Sequence, residues 1–120
     1  MQEINWNMTV EDILAESRLL LADIFEGTNY SIMRNPKSGE KMNNVYLKGI
    51  DGRIAYIVPK KQRQIFHLAF QTEYLHAVCA SGVKIVELKE IKSGRYPNWR
   101  WIDNLTFDDL RVALKAIVTH

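Results

Sequence analysis

The stretch Val45-Tyr46-Leu47-Lys48-Gly49-Ile50-Asp51-Gly52-Arg53-Ile54-Ala55-Tyr56-Ile57-Val58 decides how this chain is read. β-Branched and aromatic residues run up to Asp51-Gly52 and resume beyond it. Asp-Gly adopts at little cost the positive φ angles of a two-residue hairpin turn, so the segment predicts two antiparallel strands. With Ile50 paired to Arg53, Val45, Leu47, Ile54, Tyr56 and Val58 share one face. Tyr46, Lys48, Ile50, Arg53, Ala55 and Ile57 then take the other. One apolar and one mixed face predict an antiparallel sheet with helices on a single side.

Working back towards the N-terminus, Tyr30–Arg34 alternates like a further strand, followed by a turn composition at Asn35–Gly39. Before it, Thr9 is a suitable N-cap with Glu11 and Asp12 in the first turn, where carboxylates favour the positive end of the helix dipole. Met8 and Ile13 can form a hydrophobic staple across the cap. Ile13, Leu14, Ser17, Leu20, Leu21, Ile24 and Phe25 recur at helical spacing up to Gly27, predicting a core-facing helix of about four turns.

In the C-terminal direction, Pro59 ends the second hairpin strand because it has no N–H for the ladder. Residues 61–80 read as a central helix, with Ile65, Phe66, Leu68, Ala69, Phe70, Leu75, Ala77, Val78 and Cys79 covering most of its circumference and therefore buried. Ser81-Gly82 closes it. Val83–Leu88 and Tyr96–Ile102 predict two strands around a turn at Lys92–Arg95. Leu105-Thr106-Phe107-Asp108-Asp109-Leu110 then repeats the start signal of Met8–Ile13, which is convergent capping chemistry, and opens a last helix through Ala113, Leu114 and Ile117. The expected fold is α+β: a mainly antiparallel five-stranded sheet with three helices in the order α-β-β-β-α-β-β-α, as a single domain over residues 1–120.

Composition agrees with a globular domain: 47% of residues are apolar and 25% charged. These values exclude a disordered chain, a collagen-like chain and a disulfide scaffold. Cys79 is the single cysteine and can form no internal disulfide. No apolar run approaches the ~18 residues of a membrane span, and the first residues lack a basic flank and an apolar signal core. The expectation is a cytoplasmic protein with no membrane partner. The net charge of +2 conceals an asymmetry. Residues 1–40 carry three basic residues against seven acidic ones, and residues 41–120 carry thirteen against seven. Such a basic half attracts polyanions or an acidic protein over about one Debye length.

Signatures of common chemistries are missing: the phosphate loop, the dinucleotide glycine fingerprint, paired cysteines and HExxH. His67 and His76, nine residues apart, would point about a quarter turn apart on a helix, a poor arrangement for one metal. No metal site and no cofactor are expected. Cys79, at the apolar end of the predicted central helix, reads as a small hydrophobe. Glu87-Leu88-Lys89 has the ExK spacing of metal-dependent nucleases, but the second acid such a site needs could only be Asp51 or Glu90.

The most unusual segment is 84–101, which interleaves Lys84, Lys89, Lys92, Arg95 and Arg100 with Tyr96, Trp99 and Trp101. Cations that follow phosphates and rings that stack on bases are the means of single-strand binding. Tyr, Trp and Arg are equally the residues of protein–protein hot spots, and Trp99 and Trp101 share strand parity, so both could be core with Arg100 facing solvent. The candidate binding residues are Lys89, Lys92, Arg95, Tyr96, Trp99, Arg100 and Trp101, with a secondary basic patch at Lys60, Lys61 and Arg63. The functional expectation is a non-catalytic protein that engages nucleic acid, or a protein machine handling it, through the C-terminal hairpin. The alternatives are a protein–protein adaptor, inhibitor or chaperone-like homodimer using the same surface, and, third, a nuclease with Glu87 and Lys89. The element order is similar to that of small secretion-chaperone-like domains, which dimerise and bind protein clients. No motif is shared with them, and the basic C-terminal part departs from their acidic character.

Overall fold

The computed structural model describes residues 4–34, 44–83, 87–90 (backbone only) and 98–120. The elements are α1 (Val10–Phe25), β1 (Ser31–Arg34), β2 (Val45–Gly49), β3 (Gly52–Lys60), β4 (Ile65–Gln71), a 3-10 turn (Thr72–Tyr74), α2 (Leu75–Ala80), β5 (Glu87–Glu90), β6 (Trp99–Leu105) and α3 (Phe107–Val118). The strands form one antiparallel sheet in the order β1-β2-β3-β4-β6-β5. The fold is thus α+β with three helices and an antiparallel sheet, in the expected order with one strand added. The expected turns at Asn35–Gly39 and Lys92–Arg95 lie outside the described residues.

Both helix starts follow the capping chemistry. The Asp12 backbone N–H donates to Thr9 Oγ1 at 3.2 Å, and the Asp109 N–H donates to Thr106 Oγ1 at 3.1 Å. Replacing either threonine with alanine is expected to cost roughly 0.5–2 kcal/mol. Denaturant titration of each variant checks this; a midpoint unchanged in both would remove the caps from the account of stability. At its other end α1 stops in a turn where the Thr28 N–H reaches the Phe25 carbonyl at 3.1 Å. Glu26 is extended and Gly27 has φ +73°, the combination of a type II turn that only glycine fills cheaply.

The added strand comes from the first half of the predicted central helix. Lys61–Gln64 turn the chain back, with Gln64 at φ +57°, and Ile65–Gln71 pairs along β3 from Lys60↔Ile65 to Ala55↔Phe70. Phe66, Leu68 and Phe70 are fully buried on one face, with His67 on the other, a period of two rather than 3.6. Beyond Gln71, Thr72 is held to the residue preceding β6 by its N–H and hydroxyl, which donate to the Asn98 carbonyl at 2.6 and 2.7 Å. Helix forms only from Leu75, is six residues long and buries Val78 alone. Cys79, expected inside, is exposed.

The hairpin at Asp51 also differs in register. Gly49 pairs with Gly52, so Ile50 and Asp51 form its tip, and the register shifts by one between Leu47 and Lys48. Ile54 is the extra residue, as in a bulge, and the shift reverses the face of everything after it. Val45, Leu47, Ala55 and Ile57 therefore face the core, and Tyr46 and Tyr56 face away. The expected faces are correct for Val45, Leu47 and Ile54 and inverted for Ala55, Tyr56, Ile57 and Val58.

All three helices contribute to one continuous core on the same side of the sheet. Ile13, Leu14 and Leu21 of α1, Val78 of α2, and Leu110, Leu114 and Ile117 of α3 meet Leu47, Ile57, Phe66, Leu68, Phe70 and Ile102. Leu20 and Ile24 are only half-buried at the margin of this core. Arg111 of α3 ties the helices together, donating to the Leu20 carbonyl at 2.6 Å and to both Asp23 carboxylate oxygens at 2.8 and 3.1 Å. Among the described residues no helix is long and apolar enough to cross a membrane.

Candidate functional site

The sheet face turned away from the core gathers the aromatic residues. Reading across the ladder, Met33, Tyr46, Tyr56, Ala69, Trp101 and Lys89 occupy successive paired positions from β1 to β5. Ala69 is the small residue of this row, between Tyr56 and Trp101. Tyr46 lies 6.4 Å from Tyr56, and Tyr56 lies 5.3 Å from Trp99. His67 stacks on Trp101 with centroids 4.4 Å apart and planes 29° apart. Tyr46 and Trp99 are only 9% and 8% exposed although neither belongs to the main core, so this face holds a second, smaller aromatic cluster. Tyr56, His67 and Trp101 are half-buried.

Cations flank the rings. The Arg53 guanidinium lies 4.0 Å above the Tyr46 ring, a cation–π contact, and is exposed. Lys60 and Lys61 stand exposed at the β3–β4 turn. Arg63, on the same turn, bridges to Asp103 of β6 at 3.0 Å and to Asn104 Oδ1 at 3.4 Å. Burial pushes the Asp103 carboxyl up, but the Arg63 guanidinium and the Asn104 backbone N–H outweigh it and hold the group below the ordinary range.

Burial holds the His67 imidazole below its usual value; Asp103 opposes this, while Lys60 and Arg63 reinforce it. The unfolded chain therefore takes up this proton more readily than the folded protein. The His67 contribution to stability is present above about pH 6.5 and is lost as pH falls through the lower, folded value. Asp103 also favours the folded state only when ionised, but its window lies in the acid range below about pH 4. Denaturant midpoints should decline from about pH 7 to 5 in the wild type, and His67→Gln should flatten that decline. An unchanged profile in His67→Gln would remove His67 as its source.

The sequence-derived candidates are distributed as follows. Trp99 and Trp101 share the aromatic face, Trp99 buried and Trp101 half-buried. Arg100 pairs with Phe70, a core-side position, so it does not join the two tryptophans and is half-buried rather than fully in solvent. Lys89 pairs with Trp101 in the ladder. Lys92, Arg95 and Tyr96 lie outside the described residues, as does Lys84. Lys60, Lys61 and Arg63 do come together, on the turn next to the end of β6. Sequence reading missed Tyr46, Arg53, Tyr56 and His67 as partners of the tryptophans. Their signal was the alternation Tyr46/Lys48 and Phe66/Leu68/Phe70, usable only with the true register and with β4 recognised as a strand.

Of the nuclease residues, Glu87 pairs with Asp103 in the ladder, and Asp51 sits on the β2–β3 turn at the other end of the sheet. His67 and His76 fall on separate elements, β4 and α2. Among the described residues no three His, Cys, Asp or Glu side chains converge. Compared with protein-family profiles, with curated proteins and with solved structures, the chain matches none, so similarity of element order places it in no family.

Proposed function

We propose that this protein is a non-catalytic binding module for single-stranded nucleic acid, engaged through the sheet face turned away from the described helices and its basic margins. The observation that carries the reading is the juxtaposition of Tyr56, His67 and Trp101, half-buried on that face, with the exposed cations Arg53, Lys60 and Lys61. Rings on an open sheet stack on bases without regard to sequence, while cations beside them follow the phosphates. The basic excess of residues 41–120 supports the same partner. No cofactor is part of this reading. The exposed, free Cys79 suits a reducing compartment, and a cytoplasmic setting is proposed on that basis.

The test is fluorescence anisotropy of labelled single-stranded DNA and RNA over a range of salt. Wild-type affinity should fall with rising salt, by about 0.7 in log–log slope for each phosphate neutralised. Lys60→Glu with Lys61→Glu should weaken binding at least about tenfold. Absence of any salt-dependent association at micromolar concentration defeats the reading. If the double variant keeps full affinity while reversal at Lys92, Arg95 and Arg100 abolishes it, the contact belongs to the C-terminal hairpin.

A protein–protein adaptor, with a second copy of the chain among its possible partners, is the second reading. The half-buried Tyr56 and Trp101 on the face that also carries the exposed Arg53 favour it, because Tyr, Trp and Arg are the residues enriched at protein hot spots. In that case the same face captures a protein after nuclease treatment, and no oligonucleotide binds.

A further inference from the structure

The end of the sheet opposite the Lys60–Lys61 turn carries a feature that the nucleic-acid reading does not use. A cleft of about 240 Å³ opens between the segment before β1, the β2–β3 turn and the 3-10 turn. Tyr30 and Tyr74 are among its lining residues, Ile50 and Ile54 supply apolar surface, and Asp51 and Glu73 are its charged groups. Gly49 shapes it: a Cβ there would stand 3.3 Å from the Tyr30 ring, so glycine lets that ring lie against the hairpin.

Tyr74 is 7% exposed and lines the cleft together with Tyr30. Burial, Tyr30, Glu73 and Asp51 all act to keep its hydroxyl protonated. Asp51 and Glu73 line the same cleft, so both carboxylates face a bound group from its rim. Neither lysine nor arginine is among the described residues lining the cleft, although the surrounding half of the chain is basic.

We infer that this cleft binds a compact organic cation: an ammonium or guanidinium group on a short aliphatic stem. Asp51 and Glu73 supply the countercharge, the half-buried Tyr30 offers its ring to the cation, and the isoleucines take the stem. A phosphate would be repelled here, which separates this site from the nucleic-acid surface. A hard metal ion would need several converging oxygen ligands instead of an aromatic and aliphatic lining. The volume is below that of drug-sized pockets, about 300–1,000 Å³, and suits a side-chain-sized group. Such a group could be a free alkylamine or the side chain of a lysine or arginine in a peptide.

The experiment follows backbone amide resonances of the intact protein during titration with n-butylammonium, n-butylguanidinium and, as the uncharged counterpart, n-butanol. Saturable shifts at Gly49, Asp51, Glu73 and Tyr74 with the cations, and much smaller ones with butanol, are expected. Asp51 and Glu73 are both exposed, so Asp51→Asn with Glu73→Gln should keep the fold and weaken the cations at least about fivefold. A glycine-flanked arginine peptide that binds more tightly than butylguanidinium identifies a peptide as the source; one that binds equally or less tightly identifies a free amine. Equal shifts with butanol, or unchanged cation affinity in the double variant, overturn the inference. Oligonucleotide binding by that variant is expected to be unimpaired, so failure here and failure of the nucleic-acid reading give different results.

Discussion

Truncating Phe66 to alanine is expected to destabilise the protein by about 3–5 kcal/mol, the range for removing a fully enclosed aromatic side chain. Phe66 is completely buried, its ring lies 5.0 Å from that of Trp6 and 5.9 Å from that of Phe107, and it pairs with Leu105 across the sheet. It thus joins the N-terminal segment, β4, β6 and the start of α3. Removal leaves a cavity that three separate elements would have to collapse to fill, which a close-packed interior does poorly. Denaturant unfolding should show a lower midpoint at unchanged m. A loss below about 1 kcal/mol would mean that these elements do not meet at Phe66. Leu20, by contrast, is half-buried, so Leu20→Ala should fall below the roughly 2–5 kcal/mol of a core leucine.

Replacing Trp101 with alanine should weaken single-strand binding by about 1–3 kcal/mol, which is roughly five- to 150-fold, if this ring stacks on a base. Trp101 is half-buried against His67, opposite Ala69, so its loss opens no cavity in the main core. Trp99 is a poorer probe: it is 8% exposed and packs on Tyr56, so Trp99→Ala lowers binding through instability as well. Circular dichroism and thermal melts of each variant separate the two routes. Trp101→Phe keeps an aromatic face and should restore most of the affinity. Full affinity in a folded Trp101→Ala protein would remove this ring from the interface.

The two Trp residues illustrate how far the candidate site could be read from sequence. Their shared parity was legible, because alternation is a local property of any strand. The face they occupy was not, since it depends on which of β4 and β6's two surfaces the helices cover. Tyr56 was assigned to the wrong face for a related reason. Asp51-Gly52 marks a turn, but Gly49↔Gly52 pairing and the extra residue Ile54 moved the register by one. A single slip inverts every later side chain, so Tyr56 joins Tyr46, Trp99 and Arg53 instead of the core.

What the sequence determined by itself is what rests on contacts within a few residues. Thr9 and Thr106 bond to amides three positions on, Gly27 supplies the positive φ that ends α1, and the stripes of α1 and α3 repeat at helical spacing. These interactions require no knowledge of the remaining chain. The segment 65–71 required such knowledge. Ile65-Phe66-His67-Leu68-Ala69-Phe70 satisfies both an apolar helix and a strand buried on one face. The choice falls to partners distant in sequence: β3 on one side, β6 on the other, and the Asn98 carbonyl that holds Thr72. Hydrogen bonds to two neighbouring strands and full burial of Phe66, Leu68 and Phe70 are available only in the sheet. Intrinsic propensity, worth at most about 1 kcal/mol per residue for such side chains, is outweighed once those partners are in place.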